Sequence, residues 1–213
     1  MIKRRETLNS RLPVCLFLVM EKRLVLASAS PRRKVLLEQV GLAIDVVPSG
    51  IEETAQKSED PENRVVRLAR QKAVSVAGRL RDRWVIGADT IVLIDTRILE
   101  KPHDQNEAKQ MLSLLSGRDH WVLTGYAIAR RDRAILFSRV EETRVRLKPL
   151  SPEEIEWYVE TGEPLGKAGG YAIQGVGCFM VEEVEGSYTN VVGLPVCQVL
   201  ESLRTLGAVS VTD

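Results

Sequence analysis

Apolar and polar positions along this 213-residue chain change rhythm several times, and each change predicts an element. Residues 23–27 are a short, nearly continuous apolar run, which predicts a buried strand. Ser30 and Pro31 then start a helix, Ser30 as its cap and Pro31 at the first helical position. Val35, Leu36, Leu37 and Val40 form its apolar side, and Gly41 fits its end. Residues 44–47 predict a second strand, and Gly50 opens an acidic loop that runs to Asp60. Asp60-Pro61 repeats the start signal, followed by Val65, Leu68, Ala69, Lys72, Ala73 and Val76 at helical spacing. Residues 84–94 predict a long apolar strand region broken by one carboxylate, Asp89.

Asp104 caps the next helix, with Glu107 placed for a capping box, and the helix ends at Gly117 after burying Met111, Leu112 and Leu115. Residues 121–129 and 134–147 predict two strands. The second alternates Thr143, Val145 and Leu147 with charged Glu142, Arg144 and Arg146. Ser151 and Glu154 form another capping box, opening a helix that ends at Gly162. After a glycine-rich loop from Gly166 to Gly177, residues 179–184 and 188–192 predict the last strands, and Pro195 opens a C-terminal helix. Helices and strands follow one another without a repeat or linker. The pattern therefore predicts one mixed α/β domain, with two lobes around a cleft.

The N-terminus departs from this pattern. Lys3, Arg4 and Arg5 precede an apolar run of about seven residues, 14–20, with no small-residue cleavage site after it. A membrane span needs roughly 20 apolar residues. Residues 1–19 are accordingly expected to be a disordered or non-native extension, residues 20–213 the catalytic domain, and the compartment the cytoplasm. Composition is ordinary for a globular chain, at 44% hydrophobic and 28% charged. Thirty basic and 29 acidic residues leave a net charge of +1, which argues against a broad basic face for nucleic acid. Three cysteines without a C-x-x-C pair and two histidines suggest neither a disulfide framework nor a zinc site.

Four stretches carry candidate chemistry. In Ser28-Ala29-Ser30-Pro31-Arg32-Arg33, a strand feeds a small-residue turn that opens a helix, whose free N–H groups and partial positive charge favour phosphate. Arg32 and Arg33 add forked donors that match phosphate oxygens. Asp89 sits among apolar residues, where a carboxylate costs free energy unless it is paired, hydrated at a cleft or bound to metal. Thr90 follows with a hydroxyl. Glu52 and Glu53 could hold a hard cation, and Lys72 and Lys101 could meet phosphates. In Lys167-Ala168-Gly169-Gly170-Tyr171-Ala172-Ile173-Gln174-Gly175, glycines let backbone approach a ligand, and Gln174 offers a donor and an acceptor for a base edge. His120 reads as a structural histidine. The residues alone support an α/β domain with a phosphate site.

Taken together, these stretches resemble the Maf family of nucleotide pyrophosphatases. The matching segments are Leu26 to Arg33, Gly50-Ile51-Glu52-Glu53, Leu68 to Ala73, Gly87 to Val92, Glu100-Lys101-Pro102, Leu114 to Gly117, Tyr171 to Gly175 and Val191 to Pro195. The resemblance implies a mixed, elongated central sheet flanked by helices, like that of inosine triphosphate pyrophosphatases, and usually a homodimer. It implies a hydrolase that uses a divalent cation, Mg²⁺ or Mn²⁺, held in part by Glu53 and Asp89. The family's proton acceptor corresponds to Asp89. Arg32, Thr90 and Gln174 fall at the positions that separate substrate classes and resemble the branch acting on dTTP and UTP. Ser28, Arg33, Lys72 and Lys101 match further polar positions of the pocket. The alternatives left open are another non-standard nucleotide such as 7-methyl-GTP, and a nucleotide-binding regulator of septum formation. The preferred nucleotide among dTTP, UTP and modified pyrimidines also stays open.

Overall fold

The computed structural model describes residues 17–19, 24–80 and 82–212. Most of the extension expected over residues 1–19 lies outside the described residues. In chain order the elements are β1 (Phe17–Val19), β2 (Leu24–Leu26), α1 (Pro31–Gln39), β3 (Ile44–Val46), α2 (Pro61–Ala77), β4 (Val85–Ile94), β5 (Arg97–Leu99) and α3 (Gln105–Leu115). They continue with β6 (Asp119–Arg130), β7 (Ile135–Leu147), α4 (Pro152–Glu160), β8 (Val181–Glu185), α5 (Tyr188–Val192), α6 (Val196–Thr205) and β9 (Ser210–Thr212). Short 3-10 turns occupy Arg131–Arg133, Ala168–Gly170 and Gly175–Met180. Among the described residues, no helix is long and apolar enough to cross a membrane.

β4 and β6 form the spine of a seven-stranded mixed sheet with the order β3-β2-β4-β6-β7-β8, β5 also pairing with β4. β2 runs parallel to β3 and β4, and the other pairings are antiparallel. β1 and β9 form a separate antiparallel pair. β2 is covered on both faces, which explains its unbroken apolar run. On β7, Thr143, Val145 and Leu147 are buried while Arg146 is exposed, the period of two expected of a strand with one wet face.

The two long strands each serve two cores. Their halves beside β2 pack against α1 and α6 on one face and α2 on the other. Their opposite halves pack with β5, α3, α4, Tyr171 and Met180. Helix α2 lies so close to the sheet that only glycine fits beneath it. A Cβ on Gly87 would come within 2.7 Å of the Ala73 backbone nitrogen, and one on Gly125 within 2.6 Å of Val66 N.

Capping follows the sequence in most places. The Asp60 side chain accepts from Glu62 N and Asn63 N. Ser151 and Glu154 complete their reciprocal box. Past α1, Gly41 N donates to Glu38 O and Leu42 N to Leu37 O, the two bonds that close a Schellman turn.

Several expectations need correction. Ser30 stands at the start of α1, but its side chain makes no capping bond; the Ser28 hydroxyl instead accepts from Ser30 N at 3.2 Å. Glu107 accepts from His103 N and not from the cap residue Asp104, so that box is incomplete. Residues 188–192 are helix α5, not a strand. Ser187 caps the helix through Asn190 N, and the β-branched Thr189, Val191 and Val192 that suggested a strand are overridden by that local bond. The strand expected over 179–184 begins at Val181, because Gly175–Met180 coils as a 3-10 turn.

Candidate active site

The site arises from a gap in strand pairing. β6 occupies one edge of β4, so β2 and β5 must share the other. β2 reaches only Ile86, and β5 takes up pairing at Val92. On that edge Trp84 O and Ile86 O accept from Val25 N and Ala27 N. The next carbonyl in the series, Ala88 O, has no strand beside it and accepts from the Arg33 side chain at 2.8 Å instead. The uncovered stretch around Asp89 and Thr90 forms one wall of a cleft of about 790 Å³, a size suited to a small-molecule ligand.

Arg33 is buried and donates to four acceptors. These are Gly193 O at 2.8 Å, Ala88 O at 2.8 Å, Ser28 Oγ at 3.1 Å and Thr90 Oγ1 at 2.9 Å. Burial pulls its guanidinium below the ordinary value, and the nearby Asp89 charge opposes that pull. Expected at the sequence level to grip phosphate, Arg33 here spends most of its donors on the protein, locking α1, β4 and the turn after α5 together. Its charge still faces the cleft. Thr90 also shares a hydroxyl hydrogen bond with Thr124. Arg32 donates through Nε to Val192 O at 3.3 Å. Burial lowers its pKa, opposed by Tyr158 and Glu163.

Asp89 points to the other face of β4, under α2, and is buried. Lys72 of α2, also buried, meets Asp89 Oδ1 at 2.7 Å and Glu53 Oε1 at 2.8 Å. Two carboxylates thus flank one ammonium. Burial pushes the Glu53 carboxyl up, but its hydrogen bond to Lys72 and the charges of Lys72, Lys101 and Arg33 outweigh this and hold it below the usual range. Glu53 and Asp89 are therefore the cleft's candidates for holding a cation. Among the described residues no group of three or more His, Cys, Asp or Glu is arranged to hold a metal ion. Two carboxylates fit a hard ion such as Mg²⁺, which keeps waters and takes phosphate oxygens as its other ligands.

Lys101 is exposed at the mouth and Gln174 lies half-buried on the second-lobe wall. Nine of the sequence-selected residues, Ser28 and Thr90 included, line the same cleft, whereas Glu52 does not. Sequence reasoning gave no role to Arg64, Glu100, Lys167 or Glu163. Arg64 is buried and pairs with Glu100, which precedes Lys101. Glu100 O accepts from Gly169 N at 3.0 Å, joining the lobes. Lys167 donates to Glu163 O, with its pKa lowered by burial and by Arg32. Glu100, beside Lys101-Pro102, and Lys167, at the head of the glycine-rich stretch, carried a local sequence signal; Arg64 and Glu163 did not. Six Lys or Arg against three Asp or Glu line the cleft, so positive charge concentrates there although the whole chain is nearly neutral. Such focusing favours a polyanion.

His120 is structural, as expected. It is buried, 2.7 Å from the Tyr171 hydroxyl. Burial pushes its pKa down to about 4, the Arg118 backbone and the Asp119 charge offsetting only part of this. Unfolded, the ring takes a proton near 6.5, so between these values the unfolded chain binds more protons and stability falls as pH falls. The full loss is roughly 3 kcal/mol, at 1.36 kcal/mol per pKa unit. Thermal midpoints at about pH 7 and about pH 4 should therefore diverge less in His120→Gln than in the wild type; equal slopes would remove the assignment.

The profile of the family described as "Maf-like protein" matches residues 23–206. The "dTTP/UTP pyrophosphatase" of Syntrophotalea carbinolica is 52% identical over 188 residues, covering 87% of this chain and 86% of that one. Proteins of the same name from Geobacter sulfurreducens and Geobacter metallireducens are each 53% identical. They cover 89% and 87% of this chain and 100% and 97% of their own. Among solved structures, the Staphylococcus aureus Ham1 protein is similar at a TM-score of 0.41 and 13% identity, covering 73% of this chain and 78% of that one.

Proposed function

The chain belongs to the Maf-like protein family, and from that premise we propose that it hydrolyses dTTP and UTP to the monophosphate and pyrophosphate. The observation that carries this reading is the gap in β4, where Asp89 and a surplus of cations line one cleft. A triphosphate is the kind of polyanion such a cleft favours, and relatives of about half identity bear the name dTTP/UTP pyrophosphatase.

In this mechanism Asp89 accepts a proton from a water as the water oxygen attacks the α-phosphorus. A new P–O bond forms, the bond from the α-phosphorus to the bridging oxygen breaks, and pyrophosphate leaves with the bond's electron pair. Lys72 holds the Asp89 carboxylate in place through its 2.7 Å contact. Arg32, Arg33 and Lys101 supply positive charge beside the phosphates, the form of stabilisation that dominates phosphoryl transfer. Ser28 fixes Arg33 and the start of α1. Thr90 and Gln174 face the nucleoside. A divalent cation held by Glu53 and Asp89 would supply charge neutralisation on the triphosphate. The same reading carries a cytoplasmic homodimer acting on free nucleotides, without nucleic-acid binding.

The test is pyrophosphate release from dTTP, UTP, CTP, ITP, GTP and 7-methyl-GTP, with and without Mg²⁺. Turnover of dTTP and UTP well above the purine nucleotides, lost with EDTA, is the expected result. Preference for 7-methyl-GTP, or no release from any nucleotide, would overturn the reading.

A further inference from the structure

The Gln174 side chain stands on the cleft wall with no hydrogen-bond partner among the described residues. The segment that carries it is pinned at both ends. On one side Ala172 N donates to the Tyr158 hydroxyl at 3.1 Å. On the other, the Glu163 carboxylate accepts from Val176 N at 3.1 Å and from Gly177 N at 2.8 Å, one oxygen for each. Both pins come from α4 and the turn after it. Glu163 is itself held, its N–H donating to Thr161 Oγ1 and its carbonyl accepting from Lys167.

The backbone is shaped around this carboxylate. Gly175 has φ +75°, a conformation that side chains rarely adopt, and a Cβ there would collide with Glu163 Oε1. At Gly177 a Cβ would come within 2.7 Å of the Tyr158 hydroxyl. The two residues therefore admit the two pins and little else.

Such pinning matters because of what a carboxamide is. Uracil and thymine present an N3–H donor beside an O4 acceptor, whereas cytosine presents an N3 acceptor beside an N4 donor. A glutamine side chain can turn over and match either pattern. Alone, it cannot separate them. Backbone N–H and C=O groups cannot turn over, so a base held against a fixed main chain is read with a defined polarity.

We propose that Glu163 is a positioning residue for nucleotide selection: by binding the Val176 and Gly177 amides it fixes the Ala172–Gly177 main chain and the placement of Gln174. The inference rests on the pyrophosphatase reading above, and names what sets its base preference. Glu163 lies behind the wall and needs no contact with the substrate.

The experiment measures kcat and KM for UTP and CTP with wild type, Glu163→Gln and Gly175→Ala, alongside amide hydrogen exchange over residues 172–177. Glutamine offers one acceptor and one donor where two acceptors are needed, so one of the two amides loses its partner. Gly175→Ala dislodges the same contact with Glu163 intact, which covers the case in which Glu163→Gln does not fold. We expect the UTP:CTP ratio of kcat/KM to fall about tenfold in a folded variant, mostly through KM for UTP, with faster exchange over the segment. Wild-type selectivity in a folded variant overturns the inference, as does a loss equal for both nucleotides and carried by kcat. A wild-type chain that releases no pyrophosphate from either nucleotide overturns the pyrophosphatase reading instead, a result distinguishable from the other two.

Discussion

Replacing Asp89 by Asn is expected to slow pyrophosphate release from dTTP by about a thousandfold, the middle of the range for removing a general base. The substitution is nearly isosteric. Its amide oxygen can still accept from Lys72, so the 2.7 Å contact beneath α2 has a neutral successor. Lys72 also keeps Glu53 at 2.8 Å, and no buried ammonium is stranded. Structure should therefore survive while proton acceptance is lost. Circular dichroism and a thermal midpoint within a few degrees of wild type would establish the first point, and a coupled pyrophosphate assay the second. Near-normal turnover by a folded Asp89→Asn protein would sink the assignment, because no other carboxylate in the cleft lies as deep in it.

The second large effect is structural. Gly125→Ala should destabilise the chain by about 3 kcal/mol or more, the upper part of the range for overpacking. For a chain of this length that corresponds to a thermal midpoint lower by on the order of 10 °C. The reason is what the new methyl meets. Gly125 lies opposite Asp89 across the β4–β6 pairing, and its Cβ would approach Val66 N to 2.6 Å. A flexible side chain could move aside, but a helix backbone cannot. Helix α2 would have to lift from the sheet, taking Lys72 away from Asp89 and Arg64 away from Glu100. Stability and turnover should fall together. Thermal and urea unfolding measure the first, and a midpoint within a degree of wild type would show that the contact yields.

Much of the local structure was legible in the sequence because short-range chemistry decides it. Asp60-Pro61, Ser151 with Glu154 and the turn at Gly41 each act within a few residues, and each does what its pattern implies. Asp89 was legible for a different reason, since a carboxylate within an apolar run demands an explanation. What was not legible depends on partners far along the chain. Arg33 bonds to Gly193 across 160 positions, so nothing nearby shows that its donors are spent. Glu163 sits between Gly162 and Pro164, a setting that reads as an ordinary turn, and its two amide partners lie 13 and 14 residues on. Residues 188–192 were misread because strand propensity in Thr189, Val191 and Val192 speaks only weakly against one well-placed cap, Ser187.

The gap in the pairing of β4 has one more consequence. A bare length of strand edge is a template on which a second chain can add, and proteins that leave one open invite self-association. Here the vulnerable length is short, and its Ala88 carbonyl is occupied by the Arg33 guanidinium, with the Lys72 ammonium at 3.5 Å on the opposite face. Positive charge on both faces of an edge also repels an identical edge. The groups that suit this wall to a polyanion thus double as protection against aggregation, so the chain can keep a broken sheet open to solvent for its ligand.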